Sequence, residues 1–321
     1  MGWGITCRYE DEERDGFDQT DIALQSGESY YAPDEDMHKC KRCMLQPCIT
    51  FVGLGVKKSD YLVKCNCWPP TVFMPFISLA QIIIFAVYAA ELAGKGTPVT
   101  FESGYPHYSP LIYQPTKRYE AWRFITYMFV HNGWWHILNN LVFQLGIGLT
   151  LEMVHKWWRL MIVYLCGVLA GCLLHSVVEH NIALVGASAG AFSLVGAHLA
   201  VVITNWKEMR MRCNCECLDK ELKVPTGPLR LAVILPLVFY EVGRAIYQHV
   251  VAKDSWTIAV GAHLGGIGAG LLLGVPILKN MKRHPWETKL GIVTSVVFGL
   301  AVLFGVLFHI FYKGYPETQW D

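Results

Sequence analysis

Residues 182–204 read IALVGASAGAFSLVGAHLAVVIT, a mainly apolar run that carries Ser188 near its start. Its length matches the roughly 20 residues that a helix needs to cross the hydrocarbon core of a bilayer. Gly186 and Gly190 flank the serine on either side. Polar groups are costly in hydrocarbon, so they are functional candidates by default. The run therefore predicts a membrane-spanning helix with a functional serine close to one end.

The rest of the chain extends this pattern to a polytopic membrane protein. Hydrophobic residues make up 53% of the sequence and charged residues only 17%, whereas soluble domains carry about 25% charged residues. Six further stretches are long enough to favour spanning helices over strands, at about residues 71–90, 133–151, 160–178, 231–251, 256–278 and 290–310. The net charge of +1 gives no electrostatic basis for binding nucleic acid. We expect an all-α fold with seven spans in a lipid bilayer.

Charges in the connections orient the predicted bundle, because cytosolic loops are enriched in Lys and Arg. One set holds 12 of these residues and covers the connections 155–159, 205–230 and 279–289. The opposite set holds 6 and covers 92–132, 179–181, 252–255 and 311–321. The first set and the N-terminus are therefore expected in the cytosol. This divides the chain into a cytosolic tail, 1–70, a seven-span domain, 71–312, and a short lumenal or extracellular C-terminus, 313–321.

Nine of the 11 cysteines lie on the predicted cytosolic side. Thiols stay reduced there, so disulfides are not expected. Cys40 and Cys43 with Cys48, and Cys65 with Cys67, offer zinc ligands at irregular spacing. Cysteines next to a membrane are also substrates for reversible S-acylation, which applies to Cys65, Cys67 and the 213–217 group. Zinc binding, acylation and free thiols all remain open, and no metal is expected at the active site.

Three predicted spans that start on the non-cytosolic side carry polar residues at similar depth. His136, Ser188 and His263 lie about three, six and seven residues into their spans, which at 1.5 Å per residue agree within about 6 Å. A serine needs a base to become a nucleophile, and a neutral imidazole can take its proton. No Asp lies inside an assigned span. The pattern predicts a Ser188–His263 dyad whose imidazole is held by aromatic packing rather than by the Asp of a triad.

An acyl-transfer reaction also needs hydrogen-bond donors for the oxyanion that forms on the scissile carbonyl. The backbone N–H of Ser188, the imidazole of His136 and the amide of Asn140 can supply them. His136 and Asn140 are four residues apart, so they share one face of a helix. This chemistry requires no cofactor.

Each of these features also has a purely structural interpretation. Gly186-x-x-x-Gly190 and Gly266-x-x-x-Gly270 are small-residue patterns that are typical of close helix packing in membranes. His136 could sit at the interface with water, and Asn140 could bond a neighbouring helix. The matched depth of the polar residues favours catalysis over packing alone.

At these residues the chain resembles the rhomboid family of intramembrane serine proteases, over roughly residues 70–312. Residues 186–190 look like the GxSx nucleophile segment, 262–270 like the AHxxGxxxG segment and 136–140 like the HxxxN oxyanion segment. The resemblance implies Ser188 as nucleophile and His263 as base. It also assigns supporting positions to Gly186, Gly266, Gly270, His131, the Trp122-Arg123 pair of the long first loop, and Phe192, which stands where the family often has a Tyr stacked under the histidine.

The resemblance further implies a six-helix core plus one C-terminal span, as in the animal secretase-type subgroup, which the segment LEMVHK at 151–156 also resembles. Such proteins cleave single-pass membrane proteins near the outer end of the span, and precursors of EGF-like growth factors are the expected substrates. Golgi and plasma membrane are both compatible locations. The alternatives are a rhomboid-like protein that binds and traffics clients without cutting them, and a transporter, which the single-sided polar cluster disfavours.

Overall fold

The computed structural model describes residues 5–9, 70–207, 209–215, 220–247, 259–280 and 284–317. The chain divides into two compact units, Met1–Trp68 with Trp206–Leu229, and Pro69–Asn205 with Arg230–Asp321. Cysteines 40, 43, 48, 65, 67 and 217 fall outside the described residues, so the zinc and acylation hypotheses for them stay predictions. Within the described residues, no group of three or more His, Cys, Asp or Glu side chains has a metal-binding arrangement.

The smaller unit contains a three-stranded antiparallel sheet in the order β1-β2-β3, formed by Ile5–Tyr9, Arg210–Cys215 and Lys220–Pro225. In its register Cys7 lies opposite Cys213, and Cys213 lies opposite Leu222. The hydropathy pattern predicts no strand in these segments, because two of them lie in a connection and one in the polar tail. The pairing joins residues about 200 positions apart in the chain, which local patterns do not reveal.

The other described residues contain eight α-helices, and seven of them are long. In chain order they are α1 (Phe73–Gly94), the short α2 (Arg123–Thr126), α3 (Trp134–His155), α4 (Trp157–Val178), α5 (Ser188–Thr204), α6 (Thr226–Tyr247), α7 (Val260–Ile277) and α8 (Pro285–Phe311). Each of the seven long helices overlaps one of the seven predicted spans. Five of them, α1, α3, α4, α7 and α8, are long and apolar enough to cross a membrane, and α5 and the part Arg230–Tyr240 are shorter apolar helices. The expected all-α polytopic fold is confirmed.

The fourth span differs from its prediction, because α5 begins at Ser188 and not at residue 182. Leu184 pairs instead with Tyr113 of the first loop, through hydrogen bonds of 2.9 and 3.2 Å. Gly186 follows with a φ of +109°, which ends any helical path. Ser188 therefore lies at the start of its helix rather than about six residues inside it.

The predicted connection 155–159 is also shorter than expected, because Lys156 alone separates α3 from α4. Its φ of +77° reverses the chain in one residue. Just before it, Glu152 accepts hydrogen bonds from the backbone N–H groups of Val72, Phe73 and Met74 at 2.7–2.9 Å. A carboxylate at this position satisfies the first donors of α1 and complements the positive end of its dipole. Glu152 thus ties the first span to the end of α3.

Polar side chains also hold the centre of the bundle together. Gln144 of α3 donates to Ser78 of α1 at 2.7 Å and accepts from the Tyr164 hydroxyl of α4 at 2.6 Å. Gln81 extends this network with contacts of 3.2 Å to Gln144 and 3.3 Å to Tyr164. All four residues are buried. Their hydrogen bonds to one another offset the cost of removing polar groups from water. The network fixes α1, α3 and α4 relative to one another.

Candidate active site

Ser188 and His263 lie at the same end of two neighbouring helices and face each other. Ser188 is the first residue of α5, and His263 is the fourth residue of α7. The distance from Ser188 Oγ to His263 Nε2 is 2.9 Å, which is hydrogen-bond length. The two residues that the sequence proposed as nucleophile and base are therefore brought together, although they are 75 positions apart.

Glycines on α5 and α7 explain why the two helices come so close. A Cβ added at Gly266 would collide with the Ala189 carbonyl oxygen, and one at Gly270 would collide with that of Ser193. From the other side, a Cβ at Gly196 would collide with the carbonyl oxygen of Ile267. The backbones of the two helices are thus in direct contact, as small-residue patterns in membranes allow. The packing interpretation and the catalytic interpretation of these glycines are compatible, because the packing sets the distance between Ser188 and His263.

Phe192 holds the His263 ring from one side. It lies one turn after Ser188 on α5, and its ring stacks on the imidazole with centroids 4.4 Å apart and planes 28° apart. Phe192 is itself buried against Val195 and Ile234. This stacking restricts the imidazole without any hydroxyl group, as the sequence analysis expected for a Phe at this position.

His136 approaches the Ser188 segment from α3. The backbone N–H of Asn132 donates to His136 Nδ1 at 3.2 Å. In the neutral ring this hydrogen bond assigns the remaining proton to Nε2. A Cβ added at Gly186 would stand 2.5 Å from that nitrogen, and the positive φ of Gly186 also favours glycine. His136 Nε2 is therefore a donor that lies against the backbone two residues before Ser188.

Asn140 lies one turn after His136 on the same face of α3, as predicted. Its side chain is buried, and its amide donates to the His136 carbonyl oxygen at 2.8 Å. An amide nitrogen has two N–H donors, so this bond leaves the second one for another acceptor. The hydrogen bond also shows that Asn140 has a structural role within α3 in addition to its expected part in the oxyanion site.

His131 packs against His136 and not against the pair formed by Ser188 and His263. The two imidazole rings meet edge to face, with centroids 5.3 Å apart. His131 is only 2% exposed. Burial, with a smaller contribution from the neighbouring imidazole of His136, holds the pKa of His131 well below its ordinary value, so this ring is neutral. Its contact with His136 restricts the position of the His136 ring.

The Trp122-Arg123 pair organises the first loop at the same end of the bundle. Arg123 is buried and donates to Glu120 at 2.6 Å and to the carbonyl oxygens of Ile112 and Ser109 at 2.7 and 3.1 Å. Trp122 is exposed, and its indole N–H donates to the Pro110 carbonyl oxygen at 3.1 Å. The arginine therefore holds the loop together, while the tryptophan lies on its surface.

The position of Ser188 supplies a feature that the sequence analysis missed. The helical hydrogen bonds of α5 begin with the Ala191 N–H, which donates to the Ala187 carbonyl oxygen at 3.0 Å. The helix itself makes no use of the three preceding N–H groups, which include that of Ser188. A helix N-terminus also carries a partial positive charge that stabilises a developing oxyanion. The positive φ of Gly186 determines this start, and the glycine itself was the only local sign of it.

Comparisons with known proteins agree with this architecture. A rhomboid domain matches residues 118–280. "Rhomboid-related protein 2" of Mus musculus is 37% identical over 256 residues, which cover 79% of this chain and 80% of that protein. "Rhomboid-related protein 1" of Caenorhabditis elegans is 31% identical over 271 residues, 83% of this chain and 72% of that protein. "Inactive rhomboid-related protein 2" of the same organism is 30% identical over 273 residues, 83% of this chain and 73% of that protein.

Proposed function

The chain belongs to the rhomboid family and is an integral multi-pass membrane protein, and from this premise we propose that it is an intramembrane serine endopeptidase. The observation that supports the proposal most strongly is the 2.9 Å distance between Ser188 Oγ and His263 Nε2. In this proposal Ser188 is the nucleophile and His263 is the general base. No cofactor takes part.

The reaction follows from the geometry of this pair. His263 Nε2 accepts the hydroxyl proton while Ser188 Oγ attacks the scissile carbonyl carbon of the substrate. The protonated imidazole then gives that proton to the leaving amine, which departs and leaves an acyl ester on Ser188. A water molecule then attacks the ester carbonyl while His263 takes its proton. As the ester bond to Ser188 Oγ breaks, the imidazole returns that proton to Oγ, which regenerates the serine and releases the carboxylic acid product. The stacked ring of Phe192 keeps the imidazole in position through both steps.

The oxyanion is stabilised by donors that surround the start of α5. The Ser188 N–H lies at the helix N-terminus, and the Nε2–H of His136 lies against the neighbouring Gly186. Asn140 supplies the second hydrogen of its amide. Donors that are fixed before the reaction cost no reorganisation when the charge develops, which is why such sites contribute strongly to catalysis.

The proposed substrates are single-pass membrane proteins, cut near the non-cytosolic end of their spans, and precursors of EGF-like growth factors fit that description. The excess of Lys and Arg in the 205–230 and 279–289 connections supports a cytosolic N-terminus and an active site near the opposite face. This topology would release an ectodomain from the Golgi or the plasma membrane. A substrate with small or helix-breaking residues would expose its carbonyls more readily than one with a regular helix.

A second candidate function is binding of membrane clients without cleavage, and one relative of this chain carries the word "inactive" in its name. The hydrogen-bonded Ser188 and His263 favour the enzyme, because a protein that only binds clients has no need of a nucleophile beside a base.

A fluorophosphonate probe separates the two functions. We expect it to label the purified wild-type protein and to leave Ser188→Ala unlabelled. Ser193→Ala is the matched control, since Ser193 is a buried serine of the same helix whose hydroxyl donates to the Gly190 carbonyl oxygen at 2.7 Å. Labelling of Ser193→Ala at the wild-type level would assign the reaction to Ser188. A folded wild-type protein that resists the probe would favour the non-proteolytic function.

A further inference from the structure

A second polar cluster lies toward the end of the helix bundle opposite to Ser188. It consists of five basic residues, one each from α3, α4, α5 and α6 and one from the segment after α7, namely His155, Arg159, His198, Arg230 and Lys279. Arg159 donates to the Ile277 carbonyl oxygen at 2.5 Å, and two residues later the backbone N–H of Lys279 donates to His155 Nδ1 at 2.9 Å. Ile234 of α6 packs against Val195 of α5, so Arg230 and His198, each about one turn further toward this end, lie next to each other on the two helices. We call these five residues the basic cluster.

Several polar side-chain atoms of the basic cluster are buried without a partner. Both ring nitrogens of His198 and the Nε of Arg159 are buried and make no hydrogen bond. His155 is only 1% exposed, and its Nδ1 accepts the Lys279 backbone N–H at 2.9 Å. Buried polar atoms in proteins are normally paired. A further molecule with hydrogen-bonding oxygens would satisfy these atoms.

The carboxylates of Glu152 and Glu287, at this end of the bundle, form no ion pair with Arg159 or Arg230, and Oε1 of Glu287 is buried without a partner. Glu152, one turn before His155, accepts the three backbone N–H groups at the start of α1. Glu287 of α8 accepts a hydrogen bond from the Asn280 amide at 2.5 Å. The molecule that completes the basic cluster should therefore carry negative charge and accept hydrogen bonds.

The position of the cluster identifies the source of that charge. The Arg159 guanidinium lies over the ring of Trp158, 4.8 Å from its centroid, and Trp158 is 43% exposed. Exposed tryptophans at helix ends lie at the level of the lipid headgroups. Arginine also suits phosphate recognition through its planar set of donors.

We infer that the basic cluster binds the headgroup phosphate of an anionic phospholipid. Under the proposed topology this lipid belongs to the cytosolic leaflet, where basic sites between spanning helices bind such headgroups. Arg230 and Arg159 contact the phosphate, and an N–H group of the His198 ring donates a hydrogen bond to it. The site lies opposite the proposed active site, so lipid binding does not depend on whether the protein is a protease.

The test measures binding of dioctanoyl phosphatidylinositol 4-phosphate to the purified full-length protein in a neutral detergent, by titration calorimetry. Arg230→Gln removes one charge of the cluster and should weaken binding by about tenfold or more, the loss expected from a charged hydrogen bond. Lys289→Gln is the matched control, because Lys289 is an exposed cation of α8 at the same end. Arg230→Lys keeps the charge but not the planar set of donors, so its affinity should lie between those of the wild type and Arg230→Gln. Melting temperatures of the three proteins show whether a loss of binding comes from unfolding.

Two further ligands complete the design. Dioctanoyl phosphatidylcholine, which has no net charge, and inorganic phosphate should both bind much more weakly than the anionic lipid. Equal losses of lipid affinity in Arg230→Gln and Lys289→Gln would mean that the lipid responds only to the overall positive charge of the protein. That result would overturn the proposed site. Binding of inorganic phosphate as tight as that of the lipid would also overturn the assignment, since the ligand would then be a free anion.

Discussion

The two ends of the helix bundle carry similar residue types but differ in how these residues are hydrogen-bonded. At the end that holds Ser188, the Ser188 hydroxyl and the His136 and His263 rings make defined contacts, including the 2.9 Å contact between Ser188 and His263. At the other end, His155 and His198 lie among cationic side chains, and His198 has no hydrogen-bond partner. The first end is organised before any substrate arrives, as catalysis requires. The second end has the properties of a site that awaits an anion.

The largest effect should come from the base of the proposed dyad. We expect His263→Ala to lower turnover of a single-pass reporter in liposomes by at least about 10³-fold, as removal of one member of a catalytic group does. Ser188 and His263 act as one unit, so the double variant should be little slower than either single variant. His198→Ala, at the opposite end of the bundle, should keep turnover of the same order as wild type. Comparable losses in His263→Ala and His198→Ala would erase the distinction between the two ends.

The next largest effect concerns the glycine contact that brings α5 and α7 together. Gly266→Ala places a methyl group against the Ala189 carbonyl oxygen, so the helices must separate. Misplacement of catalytic groups by about 1 Å can cost about 10²-fold in rate. Gly268→Ala, two residues away on the same helix, meets nothing within 4 Å and should keep full activity. Reporter turnover and the melting temperature measured on both variants check this, and equal behaviour of the two would contradict the contact.

A smaller loss is expected for Asn140→Ala, because two other oxyanion donors remain. Removal of one such donor costs about 10²–10³-fold when no other replaces it, so the loss should lie at or below the low end. Asn140 also donates to the His136 carbonyl oxygen, and a lower melting temperature is expected as well. Unchanged turnover together with a lower melting temperature would make Asn140 a packing residue only.

Phe192 should have a still smaller effect that separates stacking from hydrogen bonding. Aromatic pairs contribute about 0.5–1.5 kcal/mol beyond burial, which corresponds to a loss of about tenfold at most for Phe192→Leu. Phe192→Tyr keeps the stacked ring and should stay close to wild-type turnover. A large gain in Phe192→Tyr would show instead that a hydroxyl at this position takes part in the reaction.

The smallest effect concerns stability at low pH and the buried ring of His131. Burial holds the pKa of His131 well below its ordinary value in the folded state, whereas the unfolded chain titrates near about 6.5. The unfolded state therefore binds an extra proton below that pH, and the folded state loses stability as the pH falls from about 6.5. His131→Gln should show a shallower fall in melting temperature between pH 6.5 and pH 5 than His107→Gln, which changes an exposed histidine of the first loop. Equal slopes would contradict a neutral His131.

The sequence predicted the spans well, because length and apolarity are local properties. It misplaced the start of the fourth span, since the pairing of Leu184 with Tyr113 joins that segment to the first loop. It also assigned no role to Glu152, whose partners at the start of α1 lie about 80 residues earlier in the chain. Contacts between segments that are distant in the chain determine where such helices begin and which groups cap them. The hydropathy of a segment contains no information about these contacts.

The candidate site was predictable for a different reason. Matched depth on separate spans placed Ser188, His263 and His136 at one end, and the structure brings these three residues together. The depths themselves were inaccurate, since Ser188 begins its helix and His263 lies four residues into another. Both helices start later than predicted, and this similar offset preserved the match. The basic cluster was not predicted, because its residues appear in the sequence as ordinary charges near loop ends.

The most direct measurement is the position of the cut in a single-pass reporter, made with purified protein in liposomes and read by mass spectrometry of the released fragment. Wild-type protein should produce one main cleavage near the non-cytosolic end of the reporter span, and Ser188→Ala should produce none while Ser193→Ala cuts normally. Cleavage that persists in Ser188→Ala, or a cut at the cytosolic end, would contradict an active site formed by Ser188 and His263 at the outer end of the bundle.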